Sequence, residues 1–306
     1  MSGKIGIVIV SYNSQDELEA CIKRVKLSIK KAGLEDITIV VDNNSKDDSV
    51  RAAKRAGADT IANQKNLGFA AGVNQGINKA LQSNSDYILV LNPDVKVSPV
   101  SLSIMVRALD EDFSIGAVGP SLVDAKGKSR NRGYYLKAPS WISVALFSTF
   151  LRPRFLKYPF FVNRFLEEGD MSTDREVEQI PGACLLTSKN VLGKVGLLDE
   201  DFAIWFEDVE WCYRARKKGY KMWFCSNAEV EHEGGTSFEK WQSLDKAVTF
   251  YVSMKTFFDK NKPVSGFLIR IIISINSLVL YFKNRDTSNL IFLKKFWIQK
   301  RGTLPN

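Results

Sequence analysis

Asp94, Asp208 and His232 are the residues around which chemistry is most simply built. The run Tyr87-Ile88-Leu89-Val90-Leu91 has the length of one buried strand and stops at Asn92-Pro93. There proline removes a donor and pushes the residue before it out of helical geometry. Asp94 therefore stands just past the carboxyl end of a strand, the edge where open α/β sheets bind ligands. A carboxylate there suits a hard divalent ion that keeps other positions for water or a diphosphate, although a plain Asn-Pro-Asp surface turn fits the tripeptide as well. Glu207 and Asp208 begin a helix-like stretch that ends at Gly219, directly after Trp205 and Phe206. Asp208 can act there as a general base in a cleft, or both carboxylates can simply compensate a helix dipole. His232, the only histidine, lies among Glu231, Glu233, Gly234 and Gly235 in what reads as a loop. That setting suits a metal ligand better than a core position.

The elements that must position these residues follow an α/β rhythm. Ile5 to Val10 is a continuous apolar run that closes on Ser11-Tyr12-Asn13-Ser14, a buried parallel strand leading into a helix cap. A helix from about Gln15 to Lys31 places Leu18, Ile22, Val25 and Ile29 on one face, with Gly33 as terminator. Ile37 to Val41 is a second strand closed by Asp42-Asn43-Asn44-Ser45, and Thr60 to Asn63 a third. This alternation predicts a doubly wound sheet. Asn66 to Gly76 then opens a helix whose glycines and alanines allow close backbone approach, either to a phosphate or to the sheet itself. The absence of GxGxxG after the first strand speaks against a dinucleotide oxidoreductase. Further elements are expected at about 99–109, 117–120, 180–186, 207–218 and 222–225.

Charge is distributed unevenly along the 306 residues. Residues 128–166 carry 8 basic and no acidic side chains, and residues 260–306 carry 9 basic and 1 acidic. Both stretches are interleaved with aromatic and aliphatic residues, which does not fit a solvated nucleic-acid-binding tail. The first reads as an insertion or flap within a body spanning 1–259. The second reads as a basic amphipathic helical tail, with Arg270, Ser274 and Ser277 forming a polar stripe on an otherwise apolar stretch from 264 to 282. Its lysines and arginines would face anionic headgroups at a membrane surface, or the helix would pack on the body or on a second subunit. Four cysteines without paired spacing, and no long apolar leader, predict a reduced, cytoplasmic setting.

Taken in order, Val10-Ser11-Tyr12-Asn13, Asp42-Asn43-Asn44-Ser45, Asn66-x-Gly68-Phe69-Ala70-x-Gly72-x-Asn74, Leu91-Asn92-Pro93-Asp94, Gly182-Ala183, Phe206-Glu207-Asp208-Val209-Glu210-x-Cys212-x-Arg214 and His232-x-x-Gly235-x-Ser237 resemble the family 2 glycosyltransferases. The likeness is to their rhamnosyltransferase-like members and covers about residues 4 to 240. It implies a GT-A fold, a Rossmann-like mixed α/β sheet flanked by helices. It implies an inverting, metal-dependent transfer of a sugar from a dTDP- or UDP-linked donor, with L-rhamnose from dTDP-rhamnose the first expectation. The acceptor would be a polyprenyl-diphosphate-linked or growing cell-surface polysaccharide at the inner membrane face. Ser11, Asp42, Asn44, Asn66, Asn74 and Asn92 would bind the nucleotide and its diphosphate. Asp94 and His232 would hold Mg²⁺ or Mn²⁺, Asp208 would be the base, and Trp205 and Glu207 would lie in the acceptor or sugar pocket. The first position of the family's Asp-x-Asp motif is Asn92 here, leaving one fewer charged ligand. A sugar nucleotidyltransferase is the competing enzyme reading, but Ser11-Tyr12-Asn13-Ser14 lacks the glycine-rich, basic loop such enzymes carry. A non-catalytic polysaccharide-assembly partner would have no need of Asp94, Asp208 and His232 together.

Overall fold

The computed structural model describes residues 3–129, 131, 135–140, 142, 144, 171–232 and 243–304. Most of the expected flap at 128–166, including the apolar segment 145–151, lies outside them, as do Gly235 and Ser237. The amino-terminal half alternates β1 (Lys4–Ser11), α1 (Gln15–Ala32), β2 (Glu35–Asp42), α2 (Ser49–Arg55), β3 (Asp59–Ala62), α3 (Phe69–Gln82) and β4 (Tyr87–Leu91). Next come β5 (Val95–Val97), α4 (Ser101–Glu111), β6 (Ile115–Val123), β7 (Arg175–Val177), β8 (Cys184–Ser188), α5 (Lys189–Val195), α6 (Glu207–Lys217) and β9 (Lys221–His232). Three helices close the chain: α7 (Ser243–Asn261), α8 (Pro263–Asn284) and α9 (Ser288–Ile298).

The strands form one sheet in the order β3-β2-β1-β4-β8-β6-β9-β5, with β7 beside β9. It is parallel through β3, β2, β1 and β4, then mixed, because β8 runs antiparallel to both β4 and β6. Both faces are buried. A Cβ on Gly76 would lie 2.3 Å from Val8, and one on Gly72 would lie 3.1 Å from Val10, so α3 is pressed onto the even-numbered face of β1. Ile5, Ile7 and Ile9 point the other way by strand alternation and are equally inaccessible. Of the two explanations for the small residues of α3, close packing on the sheet is the one realised.

β9 is much longer than the expected 222–225. Ala228, Val230 and His232 are buried while Asn227, Glu229 and Glu231 are less so, the two-residue period of a strand. His232 consequently sits on a strand opposite Val95, not in a loop. β5, β7 and α5 were also not foreseen; β5 and β7 have only three residues each, too few to show a period.

A second core lies outside the sheet. Val248, Val252, Phe257 and Phe258 of α7, Ile269 and Ile273 of α8 and Phe296 of α9 pack together with Phe202. Phe206, Val209 and Tyr213, from the turn before α6 and from α6 itself, close over it. The helices sharing this core begin at Ser243, so the helical region is longer than the 260–306 tail and is packed onto α6 and the turn before it.

Candidate active site

Two neighbouring loops form the amino-terminal wall of the cleft, at the carboxyl ends of β1 and β2. Ser11 and Asp42 are paired across those strands. The Asn13 amide donates to Ser45 Oγ at 2.9 Å and the Lys46 amide to Asn13 Oδ1 at 2.7 Å, which zips the loops together. Asn13 and Asn44 adopt left-handed backbone with φ of 53° and 65°, which asparagine tolerates better than most residues. Asp42 is buried and accepts from the amide and hydroxyl of Ser45, leaving Ser11 Oγ buried with no partner among the described residues.

Asn66 accepts from the Gly68 amide at 2.9 Å and so shapes the turn before α3. Gly68 has φ of 88°, and a Cβ there would stand 2.6 Å from the Ala203 carbonyl, so only glycine fits. The next amide, Phe69, donates to that carbonyl, so the start of α3 is docked on the loop before α6. Asn74, expected in the ribose and diphosphate pocket, has its amide committed inside the protein. It donates to the Leu198 carbonyl and to Glu200 Oε1, both at 2.9 Å, and accepts from the Leu198 amide at 3.0 Å. Any effect it has on the pocket passes through this clamp. Asn74→Ala should therefore lower stability by ~1–2 kcal/mol in urea unfolding, since it removes three hydrogen bonds between a buried side chain and the partly exposed 198–200 loop.

The other wall carries the carboxylates. Asp94 Oδ1 lies 3.4 Å from His232 Nε2, with both side chains at least nine-tenths buried. β5 and β9 create this pairing by aligning Val95 with His232. One carboxylate oxygen and one imidazole nitrogen at this separation can share a divalent ion. The described residues offer no group of three or more His, Cys, Asp or Glu for a metal, so a diphosphate and water would have to complete the shell. This donor set fits Mg²⁺ or Mn²⁺ bound together with a substrate, and it does not fit a closed structural site.

Asp208 is linked to that pair by a short strap. The Asn92 amide donates to the Ala183 carbonyl at 2.9 Å, and the neighbouring Gly182 amide donates to Asp208 Oδ2 at 2.7 Å. The Val209 amide holds the other oxygen at 2.7 Å. Burial raises the Asp208 carboxyl above its ordinary range, with these backbone donors pulling the other way. Glu207 is buried outright, and its Oε2 has no partner among the described residues. Burial first, and then the charge of Asp208, push its carboxyl well above the ordinary carboxylate range. Gly182-Ala183 is legible as a motif, but its bridging role needs the β4–β8 pairing to be seen.

The turn into α6 is strained. Trp205 and Phe206 both have left-handed backbone, with φ of 62° and 70°, a conformation that costs large side chains roughly 1–3 kcal/mol each. The bundle holds it. Both rings stand edge-on to Phe250 of α7, Ser253 Oγ donates to the Ile204 carbonyl at 2.8 Å, and Lys260 pairs with Asp199 and Asp201 at 2.6 Å.

Loops at the ends of parallel strands, joined through one mixed sheet to a carboxylate at a helix start, give the architecture of a GT-A glycosyltransferase. The chain belongs to glycosyl transferase family 2, whose profile matches residues 6–178. It is 26% identical over 242 residues to an N-acetylglucosaminyl-diphospho-decaprenol L-rhamnosyltransferase of Mycobacterium tuberculosis, an overlap of 76% of each chain. It is 22% identical over 244 residues to the low-salt glycan biosynthesis hexosyltransferase Agl10 of Haloferax volcanii, covering 79% of this chain and 71% of that one. Among solved structures, mannosyltransferase PcManGT from Pyrobaculum calidifontis, in complex with GDP-Man and Mn²⁺, superposes with a TM-score of 0.57. At 14% identity over 96% of this chain and 75% of that one, this likeness speaks for the fold. The expectations of family, GT-A fold and glycosyltransferase activity are met.

Proposed function

We propose that the protein is an inverting, metal-dependent glycosyltransferase that moves a sugar from a nucleoside-diphosphate donor to a polyprenyl-diphosphate-linked saccharide at the inner face of the membrane. The observation that carries this reading is the 182–183 strap, which fixes Asp208 relative to the Asp94–His232 pair through two backbone hydrogen bonds. The donor's nucleoside would lie along Ser11, Asp42 and Asn44, with the spare Ser11 hydroxyl available to it. Its diphosphate would reach the turn at Asn92, close to Asp94 and His232. Mg²⁺ or Mn²⁺ held by those two residues would neutralise charge on the departing diphosphate. Asp208 takes the proton from the acceptor hydroxyl, whose oxygen attacks the anomeric carbon opposite the leaving group, giving inversion. Glu207 stands beside Asp208 with its carboxyl raised by burial and by that neighbouring charge, and Trp205 offers a flat apolar surface to a sugar ring.

The favoured donor is dTDP-L-rhamnose, its sugar supported by the mycobacterial L-rhamnosyltransferase that aligns over 76% of the chain at 26% identity. A thermal-shift screen of nucleoside diphosphates and nucleotide sugars, with and without Mn²⁺, tests the reading. A true donor at 100 times its Kd stabilises the fold by ~2.7 kcal/mol, and dTDP with Mn²⁺ should exceed dTDP alone. Stabilisation by nucleoside triphosphate plus sugar phosphate, and by no diphosphate sugar, would move the protein to the nucleotidyltransferases.

A further inference from the structure

Of the sixteen large hydrophobic side chains exposed among the described residues, eleven lie on α8 and α9. They include Val264, Phe267, Ile275 and Phe282 on α8, and Trp297 and Ile298 on α9, all more than half exposed. α8 is long and apolar enough to cross a membrane, but its polar side chains rule out that orientation. Arg270 pairs with the largely buried Asp259, which also holds Lys255 and Arg301. Ser277 Oγ donates to the Asn289 carbonyl and Ser274 Oγ accepts from Trp297 Nε1, each at 3.2 Å. The polar stripe of Arg270, Ser274 and Ser277 is thus turned onto α7 and α9. α8 is also pressed close to α7, since a Cβ on Gly266 would lie 2.5 Å from Asp259 Oδ1. One side of the helix is welded to a water-soluble bundle while the other is bare hydrocarbon, an arrangement for lying in an interface.

We infer that the outer face of α8 and α9 is an in-plane docking surface for an anionic lipid bilayer. The charge around it selects that partner. Lys283, Arg285, Lys294 and Lys300 are exposed and have no carboxylate partner among the described residues, and Asp286 is the only acid after Asp259. Two copies of this face brought together would oppose like charges, whereas phosphate headgroups would answer them. The inference builds on the membrane-linked acceptor proposed above and adds what holds the enzyme there. Because Lys260, Ser253 and the Gly302 amide, which donates to the Asp201 carbonyl at 2.7 Å, tie the bundle to the loop before α6, docking would also fix the tilt of the cleft over the bilayer.

Co-sedimentation of the full chain with phosphatidylglycerol-containing vesicles and with pure phosphatidylcholine vesicles tests it. Binding should be strong to the first, at least tenfold weaker to the second, and weakened by 0.5 M salt. The triple variant Phe267→Glu, Ile275→Glu and Phe282→Glu alters only exposed positions. It should lose tenfold or more in vesicle affinity while keeping its melting temperature and its hydrolysis of nucleotide sugar without vesicles. That hydrolysis reads the transfer chemistry alone, so loss of one reading is distinguishable from loss of the other. Wild-type protein that ignores anionic vesicles overturns the inference, as does a triple variant that binds as well as wild type. A dimer by analytical ultracentrifugation that the same triple variant dissolves would give the face to a second copy instead.

Discussion

Asp208→Asn should lower kcat by at least about a hundredfold while leaving donor affinity within a few-fold of wild type, since removing a general base costs ~10² to 10⁴ in rate. The substitution is suited to the question. An asparagine oxygen can still accept from the Gly182 amide, so the strap is kept while basicity and the bond from the Val209 amide are lost. The pH profile adds an independent readout. The base works ionised, and burial raises its carboxyl above the ordinary range, so wild-type activity should fall as pH drops through that raised value. The remaining activity of the variant should lack this limb. A variant keeping more than about a tenth of wild-type turnover would take the role away from Asp208.

Removing the ion should stop the reaction outright, and Asp94→Ala should weaken donor binding tenfold or more only when the ion is present. The geometry behind this is the 3.4 Å contact between the nearly buried side chains of Asp94 and His232. If Asp94 and His232 are the two protein ligands proposed above, deleting the carboxylate leaves a single imidazole, too little to retain a hard divalent cation on a diphosphate. His232→Ala should act in the same direction and more mildly. Isothermal titration with donor, in Mn²⁺ and then in chelator, reads both effects, and urea unfolding checks that the folded state survives. Undiminished turnover in chelator would sink the proposal for both residues.

The parts of this site that could be read from the chain are those set by local rules. β1, α1 and β2 show uninterrupted apolar runs or a clean helical period, and Pro93 marks the end of β4, so Asp94 falls at a ligand-binding edge before any coordinates are known. Asp208 is legible because a helix start follows two aromatics. What stayed hidden depends on pairing between distant segments. His232 looks like a loop residue until Val95 is placed opposite it. Asn74 looks like a ligand contact until Leu198 is brought beside it. The helical tail looked separable after residue 259, yet Phe257 and Phe258 share their core with Ile269, Ile273 and Phe296. A chain cut near Asp259 would expose that core and release the turn before α6.

The strained Trp205-Phe206 turn also bears on how such enzymes can diverge or be recombined. Its backbone is tolerable only while Phe250, Ser253 and Lys260 hold it from α7, so that loop cannot be exchanged alone. The unit of exchange is the whole stretch from about Leu197 to the residues that follow α9. Any such exchange must also match the wall up to Val123, because Asn74 is clamped to Leu198 and Glu200, Gly68 is fitted against Ala203, and β4 and β6 both pair with β8.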